Sequence, residues 1–227
     1  MSQVSYFPTI VGLCIALGGA VLPVSKLLSN PDSFTARMLE QGFLWVLFGL
    51  VIAIVILWEK QSLSSIGFRP QWKSVAWGSL LVAVMIFVTG PLGIWVLKQS
   101  GLPGFESGFT RLANLPVWFL AVAVVTAGVV EETLYRGYAI ERLALFTGNY
   151  WWAGLLALTA FALVHVPFWG WGPVLVVSIS GIPLLVFYIW KRDLLACIIA
   201  HTVMDTVGFQ GFQGSGIPGT PYLMRFS

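Results

Sequence analysis

Six ionisable side chains sit within or at the ends of apolar runs: Glu131, Glu132, Arg136, His165, His201 and Asp205. Both histidines of the chain are among them. A charge at mid-bilayer costs roughly 2.5–3.5 kcal/mol on insertion scales, so four unpaired ones would cost on the order of 10–14 kcal/mol. Such groups must face the interior of a bundle and one another, and intramembrane ionisable residues are functional candidates by default. Helical spacing gives them geometry. Glu132 and Arg136 share a face at i, i+4 and form an ion pair along it, while Glu131 is rotated about 100° from Glu132 and points elsewhere. Phe161 and His165 are i, i+4 on another helix, and His201 and Asp205 are i, i+4 on a third. Each pair alone reads as readily as a structural clasp or a helix-packing device. Together, all in the second half of the chain, they predict one shared site where a carboxylate, two imidazoles and a second carboxyl converge. That set suits activation of water by a general base, with or without a metal.

The elements that must carry these groups follow from composition. The 227 residues are 58% hydrophobic and 9% charged, against about 25% charged in soluble domains. A soluble domain is therefore excluded. A net charge of +3 supplies no phosphate-tracking face, so nucleic-acid binding is excluded too. Runs 2–25, 41–58, 74–97, 112–130 and 143–190 contain no Asp, Glu, Lys or Arg. A spanning helix needs about 20 apolar residues, so the last run holds two, broken at residues 168–173. A shorter apolar segment covers 194–207. Backbone groups must be satisfied within the segment in hydrocarbon. The expected fold is therefore all-α: a polytopic integral membrane helix bundle of seven to eight spans, with a polar cavity among the late helices. Residues 1–227 read as one membrane domain, with the chemistry-bearing half at 116–208 and a Gly/Pro-rich tail at 209–227. The glycines from Gly208 onward, with Pro218 and Pro221, are expected to forbid a regular helix, and Phe209, Phe212, Tyr222 and Phe226 to lie on the interface.

Smaller features fit this picture. The first run lacks the basic residues that open a signal peptide, so an uncleaved helix is expected. Its Gly12, Ala16 and Ala20 form a small-residue stripe suited to close packing. Trp45 and Trp58 flanking the second span, Trp72 and Trp77 opening the third, and Trp151 and Trp152 opening the fifth read as interfacial belts. Cys14 and Cys197 are isolated, giving neither a disulfide framework nor a thiolate metal cluster. Alternating spans place six basic residues on one side and five on the other, which barely favours a cytoplasmic N-terminus.

Several intramembrane chemistries are absent. The sequence has no H-E-x-x-H helix, no G-x-G-D, and no G-x-S-x-G elbow; Ser178 and Ser180 have no histidine near them in sequence. What it has is Glu131-Glu132-Thr-Leu-Tyr-Arg136-Gly137, then Phe161-Ala-Leu-Val-His165, then His201-Thr-Val-Met-Asp205. These match E-E-x-x-x-R-G, F-x-x-x-H and H-x-x-x-N/D in order on successive late helices. The chain thereby resembles the CPBP family of intramembrane proteases, which includes the CAAX prenyl endopeptidases and the bacteriocin-processing and immunity-type membrane proteins. The segment at 64–70 also looks like a common family linker.

The resemblance implies a membrane-embedded endopeptidase acting on a membrane-anchored, prenylated or leader-type peptide. Carried onto this chain, Glu131 would activate the attacking water with help from His165. His201 and Asp205 would stabilise the oxyanion or hold a metal, and Glu132 and Arg136, with Phe161, would brace the site. A divalent metal such as zinc, on Glu131, His165, His201 and Asp205, and a metal-free glutamate mechanism both stay open. One departure is the third motif's Asp205, where CAAX endopeptidases have Asn; an amide donates to an oxyanion and an ionised carboxylate does not. The competing readings are a non-catalytic scaffold of the same family and a proton-coupled transporter, the second disfavoured by the lack of repeated halves. The setting expected is a prokaryotic cell membrane.

Overall fold

The computed structural model describes residues 6–31 and 33–214, with side chains described to residue 209. The described residues are helical, joined by turns and short loops, with no strand among them. Five helices are long and apolar enough to cross a membrane, and two shorter apolar ones flank them. In chain order they are α1 Tyr6–Val21, α2 Phe34–Trp58, α3 Trp72–Ser100, α4 Val117–Thr147, α5 Tyr150–Trp169, α6 Trp171–Lys191 and α7 Leu194–Gly214. The all-α membrane bundle expected from the apolar runs is what forms.

Local chemistry sets the boundaries. The Ser33 hydroxyl accepts from the Ala36 amide and caps α2. The Asn149 side chain accepts from the amides of Trp151 and Trp152 and caps α5, just after Gly148 has ended α4 in the left-handed conformation. Asp193 Oδ1 accepts from the Ala196 amide and caps α7. Such caps satisfy amides that have no intrahelical partner. Gly170, at φ 86°, makes the break between α5 and α6 at the place the sequence predicts.

Two boundaries differ from expectation. α2 begins at Phe34, seven residues ahead of the charge-free run, because Arg37 and Glu40 pair at 2.9 Å and enter the helix together. Trp45 therefore lies well inside α2, where its Nε1–H donates to Thr126 Oγ1 at 3.0 Å, and it is not an interfacial anchor. At the other end, α7 continues through Gly208 and Gly211 to Gly214. Glycine weakens a helix without forbidding it, and the prolines start only at Pro218. Phe212, Tyr222 and Phe226 lie outside the residues whose side chains are described.

Packing between helices uses small residues, as association in lipid demands. Gly12 and Ala16 of the α1 stripe are buried, and a Cβ on Gly12 would sit 2.0 Å from the Tyr138 hydroxyl oxygen. Gly128 lets α4 approach α7, since a Cβ there would meet Thr202 Oγ1 at 1.9 Å. A buried clasp ties the early helices to α4. Glu59 accepts from Thr9 (3.1 Å), from Tyr138 (2.9 Å) and twice from Arg142 (2.9 and 2.7 Å). Every carboxylate oxygen there is used, which is what makes a buried charge tolerable.

Within α4, residues Ala127–Ala139 form a π-helix. Its hydrogen bonds run i to i+5, and such wide turns occur mostly as single-turn bulges, frequently at functional sites. Thirteen residues of it is unusual, and it carries the whole first motif.

Candidate active site

The π-helical stretch holds two consecutive carboxylates in different roles. Glu132 is fully buried. Its Oε1 lies 2.9 Å from an Arg136 guanidinium nitrogen and accepts from His201 Nδ1 at 2.8 Å. The ion pair expected along this helix is formed, and it doubles as the anchor for a histidine on α7. Glu131 is less deeply placed, and its Oε2 is a buried oxygen without a hydrogen-bond partner among the described residues. That oxygen lies 3.8 Å from His165 Nε2 and 4.0 Å from His201 Nε2.

His165 stands where α5 breaks. The helix is regular over Tyr150–Val164 and resumes over Val166–Trp169. Pro167 has no amide hydrogen, and its ring displaces the carbonyl four residues back. At this break His165 Nδ1 lies 2.7 Å from the Phe161 carbonyl oxygen. A carbonyl only accepts, so Nδ1 carries the hydrogen and a neutral ring presents its Nε2 lone pair toward Glu131. His201 is oriented by Glu132: its Nδ1–H is committed to the carboxylate, and Nε2 faces Glu131 and, at 3.6 Å, Asp205 Oδ2. Phe161 fixes the spacing between them. Its ring centroid is 4.7 Å from that of His165 and 6.0 Å from that of His201, and the Arg136 guanidinium lies 4.1 Å above it.

All of the residues expected at the site therefore come together: Glu131, Glu132 and Arg136 from α4, Phe161 and His165 from α5, and His201 and Asp205 from α7. Sequence reasoning passed over Tyr135. This side chain is 1% exposed, with its ring 5.2 Å from Phe161, and its buried hydroxyl has no partner among the described residues. An unsatisfied buried polar group costs about 1–3 kcal/mol. The only signal available in advance was its position four residues after Glu131 in the same motif.

A cavity of about 1120 Å³ runs from this cluster toward one end of the bundle. Glu131, Tyr135, Arg136, Phe161, His165, His201 and Asp205 line its inner part. Lys26, Arg37, Lys98 and Arg111 line its outer part. These four lie after α1, at the start of α2, near the end of α3 and before α4, which alternation of the helices places on one face. Residues of the opposite face, such as Lys60, Lys73 and Lys191, are not among the lining, so the cavity opens on one side. The aromatic rings of Phe105, Phe109, Phe168 and Trp169 gather near this mouth, with Arg37 and Arg111 each stacked on Phe168 at 5.4 and 5.6 Å.

The donor set does not match the spacing that zinc requires. Tetrahedral ligands at about 2.0–2.1 Å from the ion stand about 3.3 Å apart. The carboxylate–imidazole separations of 3.8 and 4.0 Å are wider, and no group of three or more His, Cys, Asp or Glu among the described residues is disposed to hold a metal ion. The side chains as placed do not fit that ion. Pairs 3.8–4.0 Å apart are too far to bond directly and close enough to share one bridging water.

Comparison with curated proteins finds no match, and comparison with solved structures finds none. Comparison with family models finds one that covers residues 113–207 and is described as type II CAAX prenyl endopeptidase Rce1-like. That span contains every motif residue of the cavity floor. Residues 113–207, under half of the chain, are thus similar to that family, and the three motifs lie within them.

Proposed function

We propose that the protein is an intramembrane endopeptidase that hydrolyses a peptide bond of a membrane-anchored or prenylated peptide, using water activated by Glu131. The observation that carries this reading is the unpartnered Oε2 of Glu131, flanked by two imidazole nitrogens at 3.8 and 4.0 Å in a cavity open to one side. A water held there would bond to Glu131 and lose its proton to that carboxylate as it attacks. His165 Nε2, fixed by the Phe161 carbonyl, would accept from the same water and orient it. His201 is kept in one tautomer by Glu132, and Glu132 is neutralised by Arg136, so both brace the reacting groups. The rest of the cavity wall is mainly apolar, from Leu44 and Leu134 to Val177 and Leu184, which suits an apolar anchor beside the scissile bond.

The test is cleavage of a prenylated or membrane-anchored peptide by purified protein in detergent or vesicles, with Glu131→Ala as control. Cleavage that disappears in the variant supports the reading. An unchanged rate in the variant refutes the assigned base. Binding of the peptide by the wild type with no cleavage would instead identify a scaffold.

A further inference from the structure

Glu131 and Tyr135 present a complementary pair of unmet needs. One is an acceptor and the other a donor; both are buried, both lack a partner among the described residues, and both line the same cavity. They sit one wide turn apart on the same π-helix. Hydrolysis of a peptide bond requires both functions: an acceptor for the proton of the attacking water, and a donor where negative charge develops on the carbonyl oxygen.

The residues that the resemblance assigns to that second function are poorly equipped for it here. Nδ1–H of His201 is committed to Glu132, and its Nε2 is turned to two carboxylates of the chain itself, Asp205 at 3.6 Å and Glu131 at 4.0 Å. Asp205, when ionised, only accepts. Arg136, a brace in the resemblance, faces Glu132 through Nη1 at 2.9 Å, and its Nη2 is another buried donor without a hydrogen-bond partner among the described residues. A phenol is a donor without any change of protonation, since its ordinary pKa is about 10.

We propose that Tyr135 is a further catalytic residue, whose hydroxyl donates to the oxyanion of the tetrahedral intermediate. This rests on the reading of the protein as a water-activating peptidase. In the first step the water oxygen bonds to the carbonyl carbon, the water proton passes to Glu131, and the carbonyl π pair moves onto the oxygen that Tyr135 faces. In the second step that pair re-forms the carbonyl, the C–N bond breaks, and the proton on Glu131 passes to the departing nitrogen. Tyr135 remains a neutral phenol throughout and gives only a hydrogen bond. Its ring is held for this by Phe161, which also spaces the two histidines.

The test is Tyr135→Phe, which keeps the ring and its contact with Phe161. The expected result is a fall in kcat on the order of 10²-fold, the size of effect seen for a single oxyanion donor. KM should stay within about twofold, because the bond forms only in the transition state. Affinity for a phosphinate peptide isostere, whose tetrahedral oxygens mimic the oxyanion, should fall on the order of 10²-fold, while affinity for the matching reduced-amide peptide stays level and the Tm does not fall. A kcat equal to wild type overturns the proposal, as does an equal loss of affinity for both peptides, which would mark a structural role. Glu131→Gln separates the two levels. If that variant is inactive and Tyr135→Phe is fully active, only the tyrosine assignment falls. If Glu131→Gln cleaves as well as wild type, the underlying reading falls, and the tyrosine assignment with it.

Discussion

His201 Nδ1 and Glu132 Oε1 are 2.8 Å apart, and that bond joins α7 to the middle of α4 at the floor of the cavity. The same oxygen faces Arg136 at 2.9 Å, so one carboxylate fixes the tautomer of a histidine and neutralises a guanidinium. Replacing Glu132 by Gln keeps an acceptor for His201 but strands the Arg136 charge. Breaking a buried pair in this way costs about 3–5 kcal/mol. The variant should show a clearly lowered Tm in detergent and a loss of activity of about 10–100-fold, as for other orienting partners. A variant as stable as wild type would mean that Arg136 finds another counter-charge.

Glu131→Gln should behave oppositely on stability. Oε2 of Glu131 has no hydrogen-bond partner to lose among the described residues, so the Tm should not fall. Peptide cleavage should drop by about 10²–10⁴-fold, the usual contribution of a positioned base. Side-by-side unfolding curves and turnover measurements on the two glutamate variants would separate the brace from the base.

Asp205 is the least enclosed member of the cluster, with a side chain 36% exposed and 3.6 Å from His201 Nε2. Asp205→Asn should retain activity within about tenfold, since an amide supplies both an acceptor and a donor at that position. Loss of all activity together with loss of bound metal would assign Asp205 to a metal instead.

Incubation with a zinc chelator should leave the cleavage rate unchanged, because the imidazole and carboxylate separations do not close on an ion. Inactivation reversed by added zinc would show that the cluster contracts around a metal and would replace the glutamate mechanism.

Gly128→Ala places a Cβ 1.9 Å from Thr202 Oγ1 and 3.2 Å from the Ile198 carbonyl oxygen. Overpacking of this kind costs about 1–3 kcal/mol. It should also push α7, with His201, away from Glu131. Thr202→Ala in the same chain removes the clashing oxygen and should restore most of the Tm and activity; no restoration would locate the clash at the backbone of α7.

The spans and the site residues were legible for the same reason. Charge is so scarce in this chain that Glu131, His165 and His201 stand out against the apolar runs, and i, i+4 spacing then orients each pair. Relations set by tertiary structure were not legible. Glu59 and Arg142 are 83 residues apart, and their pairing follows from no local pattern. Arg37 and Glu40 hid the true start of α2, because a pair that neutralises itself reads in sequence as two loop charges. Tyr135 reads as one more buried aromatic until its hydroxyl is found without a hydrogen-bond partner among the described residues. The π-helical winding of Ala127–Ala139 has no compositional mark, since the same residues would serve in an α-helix.

That winding bears on which genetic changes the site can absorb. A wide turn holds more residues over the same length than an α-helical one. Deleting one codon within 127–139 would let the stretch tighten toward α geometry, where each residue advances the helix by about 100°. Everything beyond the deletion would then swing around the axis, and Glu131 and Glu132 could no longer meet His165, His201 and Arg136 together. Many single substitutions here alter one contact, whereas a change in length by one residue alters the aim of all of them. The angular register of this segment is held by its count of residues as much as by their identity.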